Sequence, residues 1–138
     1  MPKIRVLVID PHPAVGIALA VRLRSDPALE VLAVAPDWQY GLELAQAQRA
    51  DVILLEPKGA ISPEVDLARE LERTFGSGSA PALIWLTSYA MASELDRAQQ
   101  AGARRYLLKN LDSRQLIQDI KAVATERNQH EYPQHSHE

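Results

Sequence analysis

The chain has 138 residues, a formal net charge of -3, 46% hydrophobic residues and no cysteine. A single domain of this size buries roughly 68% of its unfolded surface and folds without staples. The missing cysteines exclude a disulfide scaffold, a thiolate zinc site and a cysteine nucleophile, and the mildly acidic balance gives no basic field for nucleic acid.

Short apolar runs alternate with helical patterns five times, the signature of βα units on a parallel sheet in a doubly wound α/β fold. The first strand is expected over residues 4–9. A helix follows with Val15, Ala18, Leu19 and Leu23 on its buried face, and it must stop before Asp26-Pro27. Residues 31–35 read as the second strand. Asp37 is placed to cap a helix bearing Leu42, Leu44 and Ala45, and residues 52–55 form the third strand. After a loop over 57–62, Ser62 as cap and Pro63 at the first helical position open a helix through Leu67 and Leu71, which runs out into Gly76-Ser77-Gly78-Ser79. The fourth strand is expected over 82–86, a helix over 90–101 ending at Gly102, and the fifth strand over 104–108. Asp112 with Gln115 makes a capping box for a last helix that buries Leu116, Ile117, Ile120 and Ala124. From Arg127 the composition turns polar, so the domain is expected to span 1–126 and to be followed by a disordered tail over 127–138.

Four of the apolar runs end on residues able to handle phosphate or metal: Asp10, Glu56, Thr87 and Lys109. In parallel sheets covered by helices, ligands collect at the carboxyl ends of the strands, so these four are expected to share one site. Among other groupings, His12 and Ser88 near Asp10 could arithmetically form a Ser-His-Asp set, but no Gly-x-Ser-x-Gly elbow accompanies them. His130, His135 and His137 lack partners that would define a metal geometry. The segment 76–79 is a linker without a phosphate-loop ending. Trp38 and Trp85 read as packing residues, with Trp38 placed where it could lie exposed to a partner.

The segments Ile-Arg-Val-Leu-Val-Ile-Asp-Pro-His-Pro, Ala-Asp-Val-Ile-Leu-Leu-Glu, Leu-Thr-Ser-Tyr and Ala-Gly-Ala-Arg-Arg-Tyr-Leu-Leu-Lys together resemble a response-regulator receiver domain. The resemblance is to the CheY-like receivers that precede NarL/FixJ-type DNA-binding domains, and it covers nearly everything but the tail. It implies a flavodoxin-like sheet of order 2-1-3-4-5 with five helices. It also implies a site where an acidic pair and a third-strand aspartate hold magnesium, where that aspartate takes a phosphoryl group from a histidine kinase, and where a lysine, a threonine and a fifth-strand aromatic respond. Asp10, Thr87, Lys109 and the switch aromatic Tyr106 match that pattern. Pro11 stands for the second acidic residue, Glu56 for the phosphoacceptor, and Pro57-Lys58-Gly59-Ala60 for the usual Met-Pro loop.

The departures have a physical reading. Magnesium demands near-octahedral oxygen ligands at about 2.0 to 2.1 Å, and the side chain of proline offers none. The extra methylene of Glu56 moves its carboxylate by about 1.5 Å, the length of a carbon-carbon bond, and a 1 Å misplacement can cost on the order of 100-fold in an in-line attack. The expectation is a degenerate magnesium site at Asp10 and Glu56, no bound cofactor, and a direct bond from Glu56 to Lys109. Function is then expected to be that of a non-enzymatic pseudo-receiver working by contact with a signalling protein, with a possible homodimer through the last helix and the strand-five face. The competing readings are a true phosphoaccepting receiver and the regulatory N-terminal part of a LuxR/NarL-type transcriptional regulator. The start, Met-Pro-Lys-Ile-Arg, shows no apolar leader, so a cytoplasmic location, no membrane contact and no nucleic acid bound by this chain alone are expected.

Overall fold

A computed structural model describes residues 2–76, 78–89 and 91–131. Its strands are β1 (Ile4–Ile9), β2 (Leu29–Ala35), β3 (Val52–Leu55), β4 (Ala82–Thr87) and β5 (Arg105–Leu108). Its helices are α1 (Pro13–Leu23), α2 (Trp38–Gln48), α3 (Leu67–Phe75), α4 (Ala92–Gln100) and α5 (Ser113–Glu131). The strands pair in parallel in the order β2-β1-β3-β4-β5, as expected for a doubly wound sheet.

The apolar runs form strands because both faces of the sheet are covered. Under α1 and α5, Val6, Val8, Leu54 and Ile84 pack with Leu19, Leu23, Leu116, Ile120 and Val123. On the other face, Leu7, Ile9, Ile53, Leu55, Leu83 and Trp85 pack with Trp38, Ala45, Leu67, Leu71 and Ala98. Both tryptophans therefore lie in one layer. Trp38 is only 4% exposed, which corrects the expectation that it could face a partner. Its backbone N–H donates to Ala60 O at 2.8 Å, drawing the start of α2 under the 57–61 loop.

Register fixes the site. Ile9 pairs with Leu55, Leu55 with Trp85, and Thr87 with Leu108, so the carboxyl ends of four strands finish at nearly one level. Helix α1 approaches this end closely at Gly16, where an added Cβ would stand 2.6 Å from Val34 Cγ1.

Several element boundaries differ from expectation. The buried face of α1 is Gly16, Leu19, Ala20 and Leu23, while Val15 and Ala18 face outward. Helix α3 begins at Leu67, not after Ser62, because Asp66 Oδ1 accepts from Arg69 N and caps the helix there. Ser62 closes a turn instead, its carbonyl accepting from Val65 N. Helix α4 starts at Ala92, and Ala90 lies outside the described residues. Asp112 caps α5 by accepting from Arg114 N rather than through a reciprocal box, since Gln115 Nε2 donates to Asp119. Helix α5 runs on to Glu131, past the tail boundary expected at Arg127. Arg127 is the reason: its guanidinium donates to Ala80 O, Ser79 O and Asp51 Oδ1, so the helix is fastened across the amino ends of β3 and β4. The rest of the expected tail, residues 132–138, lies outside the described residues.

Candidate functional site

Asp10, Glu56 and Thr87 are the buried polar residues of the described chain, and all three stand at strand ends beside Lys109. The Lys109 ammonium lies 2.6 Å from Asp10 Oδ2 and 3.3 Å from Glu56 Oε1. Sequence reasoning expected the lysine to reach Glu56; the structure adds a shorter bond to Asp10. The remaining carboxylate oxygens are also engaged. Asp10 Oδ1 accepts from His12 N at 2.8 Å, and Glu56 Oε2 accepts from Lys58 N at 3.0 Å.

Both of those last bonds reach a backbone N–H two residues onward, the side-chain turn that a short acceptor forms at a strand exit. Pro11 and Pro57 sit in the middle of the two turns, lacking an N–H of their own and fixing φ. His12 N and Lys58 N were not singled out from the sequence, although the repeated pattern acid-Pro-x after a strand carries the signal. Pro11 lines the cleft and contributes no side-chain oxygen.

Thr87 bonds the backbone that follows it. Its hydroxyl donates to Tyr89 O at 3.0 Å and accepts from Tyr89 N at 3.2 Å. The Tyr106 hydroxyl meets the same loop, accepting from Met91 N at 3.3 Å and lying 3.4 Å from Tyr89 O. Thr87 and Tyr106 thus hold one backbone stretch from two strands. Tyr89, not anticipated from the sequence, stands exposed at the lip of the cleft with the Lys58 ammonium 5.9 Å from its ring centre.

Other groupings do not assemble. His12 Nδ1 lies 3.4 Å from Asp10 Oδ1, but among the described residues no hydrogen bond joins His12 to Ser88. His135 and His137 lie outside the described residues, as does the side chain of His130. Among the described residues no group of three or more His, Cys, Asp and Glu is placed to hold a metal ion, and no helix is long and apolar enough to cross a membrane.

A parallel five-stranded sheet of this order, with carboxylates, a threonine and a lysine at its carboxyl edge, is the architecture of a CheY-like receiver domain. Residues 6–121 match the response regulator receiver domain family, and the chain belongs to it. The chain is 34% identical over 125 residues to the transcriptional regulatory protein LiaR of Bacillus subtilis, covering 88% of this chain and 56% of that protein. It is 32% identical over 120 residues to the nitrate/nitrite response regulator protein NarP of Escherichia coli, covering 87% and 54%. The chain therefore spans about half the length of these curated relatives. In fold it is similar to the signal receiver domain of the putative response regulator NarL from Mycobacterium tuberculosis, with a TM-score of 0.75 at 24% identity, covering 91% of this chain and 98% of that one. It is a NarL/FixJ-type receiver domain of a two-component response regulator.

Proposed function

We propose that this receiver signals by protein contact without metal-dependent phosphorylation, its lysine standing in place of the cation. The observation that carries the reading is the full engagement of the two carboxylates: Lys109 bonds one oxygen of each, and backbone N–H groups take the others. A magnesium ion would have to displace an ammonium already 2.6 Å from Asp10 and would find no side-chain oxygen on Pro11. The donor set does not fit the octahedral cage that ion requires. Asp10, Glu56 and Lys109 sum to a charge of -1, a weak lure for a dication.

The orientation of Thr87 supports a single held state. Glu56 does not draw the threonine hydroxyl toward itself, and Thr87 and Tyr106 instead fasten the loop at Tyr89 and Met91. Exposed Tyr89, Met91 and Leu95 beside it offer apolar anchors for a signalling protein. Because LiaR is named a transcriptional regulatory protein, and both it and NarP are about twice as long as the matched region, the domain is read as the non-enzymatic regulatory part of a longer regulator of transcription.

The test is incubation with acetyl phosphate and Mg²⁺ followed by mass spectrometry. The parent protein is expected to gain no adduct, whereas the double variant Pro11→Asp with Glu56→Asp is expected to gain one phosphoryl group, about 80 Da. An adduct on Glu56 of the parent would establish the phosphoaccepting reading instead.

A further inference from the structure

Between the segment 63–67 and helix α4 lies a second cavity, about 520 Å³, which shares no lining residue with the strand-end cleft. Its volume falls within the roughly 300 to 1,000 Å³ of sites that hold small molecules. Val65, Leu67 and Ala101 supply apolar lining, and the fully buried Trp85 closes the bottom.

Two donors in this cavity are left over. The Trp85 indole N–H is buried and has no acceptor among the described residues. The Arg97 guanidinium stacks 5.8 Å from the centre of that indole ring and reaches a single acceptor, Ser62 O at 3.4 Å. Among the described residues it forms no ion pair, not even with Glu94 three residues earlier on α4. A buried donor without an acceptor is costly, and a half-buried guanidinium with most of its donors idle suits a planar carboxylate. The rim carries the opposite charge. Asp66 is already occupied by Arg69, but Glu64 is exposed and takes no partner among the described residues.

We propose that this cavity binds a free α-amino acid with an apolar side chain. The ligand carboxylate meets Arg97 and the Trp85 N–H, its ammonium meets Glu64, and its side chain lies against Val65 and Leu67. A simple anion would face Glu64 and Asp66 at the rim, and a simple cation would face Arg97 within, whereas a zwitterion is matched at both ends. Occupancy adds a link between α4 and the segment before α3, which Arg97 and Ser62 now join by one long hydrogen bond.

Leucine is the probe, titrated to about 10 mM into the whole ¹⁵N-labelled chain. The Trp85 indole N–H resonance should move downfield and saturate with a Kd between about 10 μM and 1 mM, while that of Trp38, which does not line the cavity, stays in place. Isocaproate, which lacks the ammonium, and isoamylamine, which lacks the carboxylate, should each bind at least about tenfold more weakly. Arg97→Gln should abolish the shift with an unchanged circular dichroism spectrum. Glu64→Gln, on an exposed side chain that holds nothing in the fold, should weaken leucine about tenfold and leave isocaproate unchanged, so the test stands even if Arg97→Gln disturbs folding. A Trp85 resonance that leucine does not move would overturn the proposal, as would a shift that survives Arg97→Gln in a folded chain, or isocaproate binding as tightly as leucine.

Discussion

Lys109 is the residue on which the site's electrostatics turn, since its ammonium faces two carboxylates with almost no solvent access of their own. Removing one member of a buried ionic cluster leaves the remaining charges uncompensated, at a cost of about 3 kcal/mol or more. Lys109→Met keeps most of the aliphatic stem, so it is expected to lower the free energy of unfolding by about 3 kcal/mol, read as a lower urea midpoint with an unchanged slope. In a Glu56→Gln background the same substitution should cost measurably less, because one of the stranded charges is already gone. Equal costs in both backgrounds would mean that Lys109 does not couple to Glu56. The four strand-end residues were legible in the sequence, because a parallel sheet gathers whatever terminates its apolar runs. The preference of Lys109 for Asp10 was not. It depends on how far a fifth-strand lysine must reach across the sheet edge, which no local spacing encodes. The same holds for the backbone donors His12 N and Lys58 N, which act through their position in the chain and not through their side chains.

At the scale of elements, β5 and α5 are joined by an ion cluster that titrates. The Glu126 carboxyl is held below its usual 4.5 first by the hydrogen bond from Arg105 and then by the charges of Arg105 and Arg104. A carboxyl depressed in the folded chain adds stability above its unfolded pKa and loses it as pH falls through the folded one. Stability is therefore expected to decline on acidification below about pH 4.5, and Glu126→Gln should flatten that decline between its unfolded and folded values. Asp26 adds to the same limb at lower pH, depressed from 3.8 by the N–H of Ala28 and then by Lys121. Chemical denaturation repeated at pH 6 and in the acid range, on parent and variant, separates the two contributions. Strand positions were readable from apolar runs, and the last helix from its stripe of Leu116, Ile117, Ile120 and Ala124. Helix starts were less so. Ser62-Pro63 and Asp66 both suit a helix start, and the choice of Asp66 is made by a tertiary opportunity, Leu67 entering the core. The length of α5 was hidden for a related reason, because a polar stretch gives no sign that one of its arginines will find three acceptors on a distant loop and strand.

For the whole molecule, the sheet divides the interior into two halves that differ in kind. The half beneath α1 and α5 is built from aliphatic side chains alone, whereas the half beneath α2, α3 and α4 holds Trp38 and Trp85. Indole emission is thus a one-sided reporter: it watches a single flank of the domain while the flank beneath α1 and α5 stays dark. If both flanks melt together, fluorescence and far-ultraviolet dichroism will trace superimposable curves during heating or in urea. Separated curves would instead reveal a domain able to loosen one cheek while gripping with the other, and the optical signal would tell which cheek lets go first.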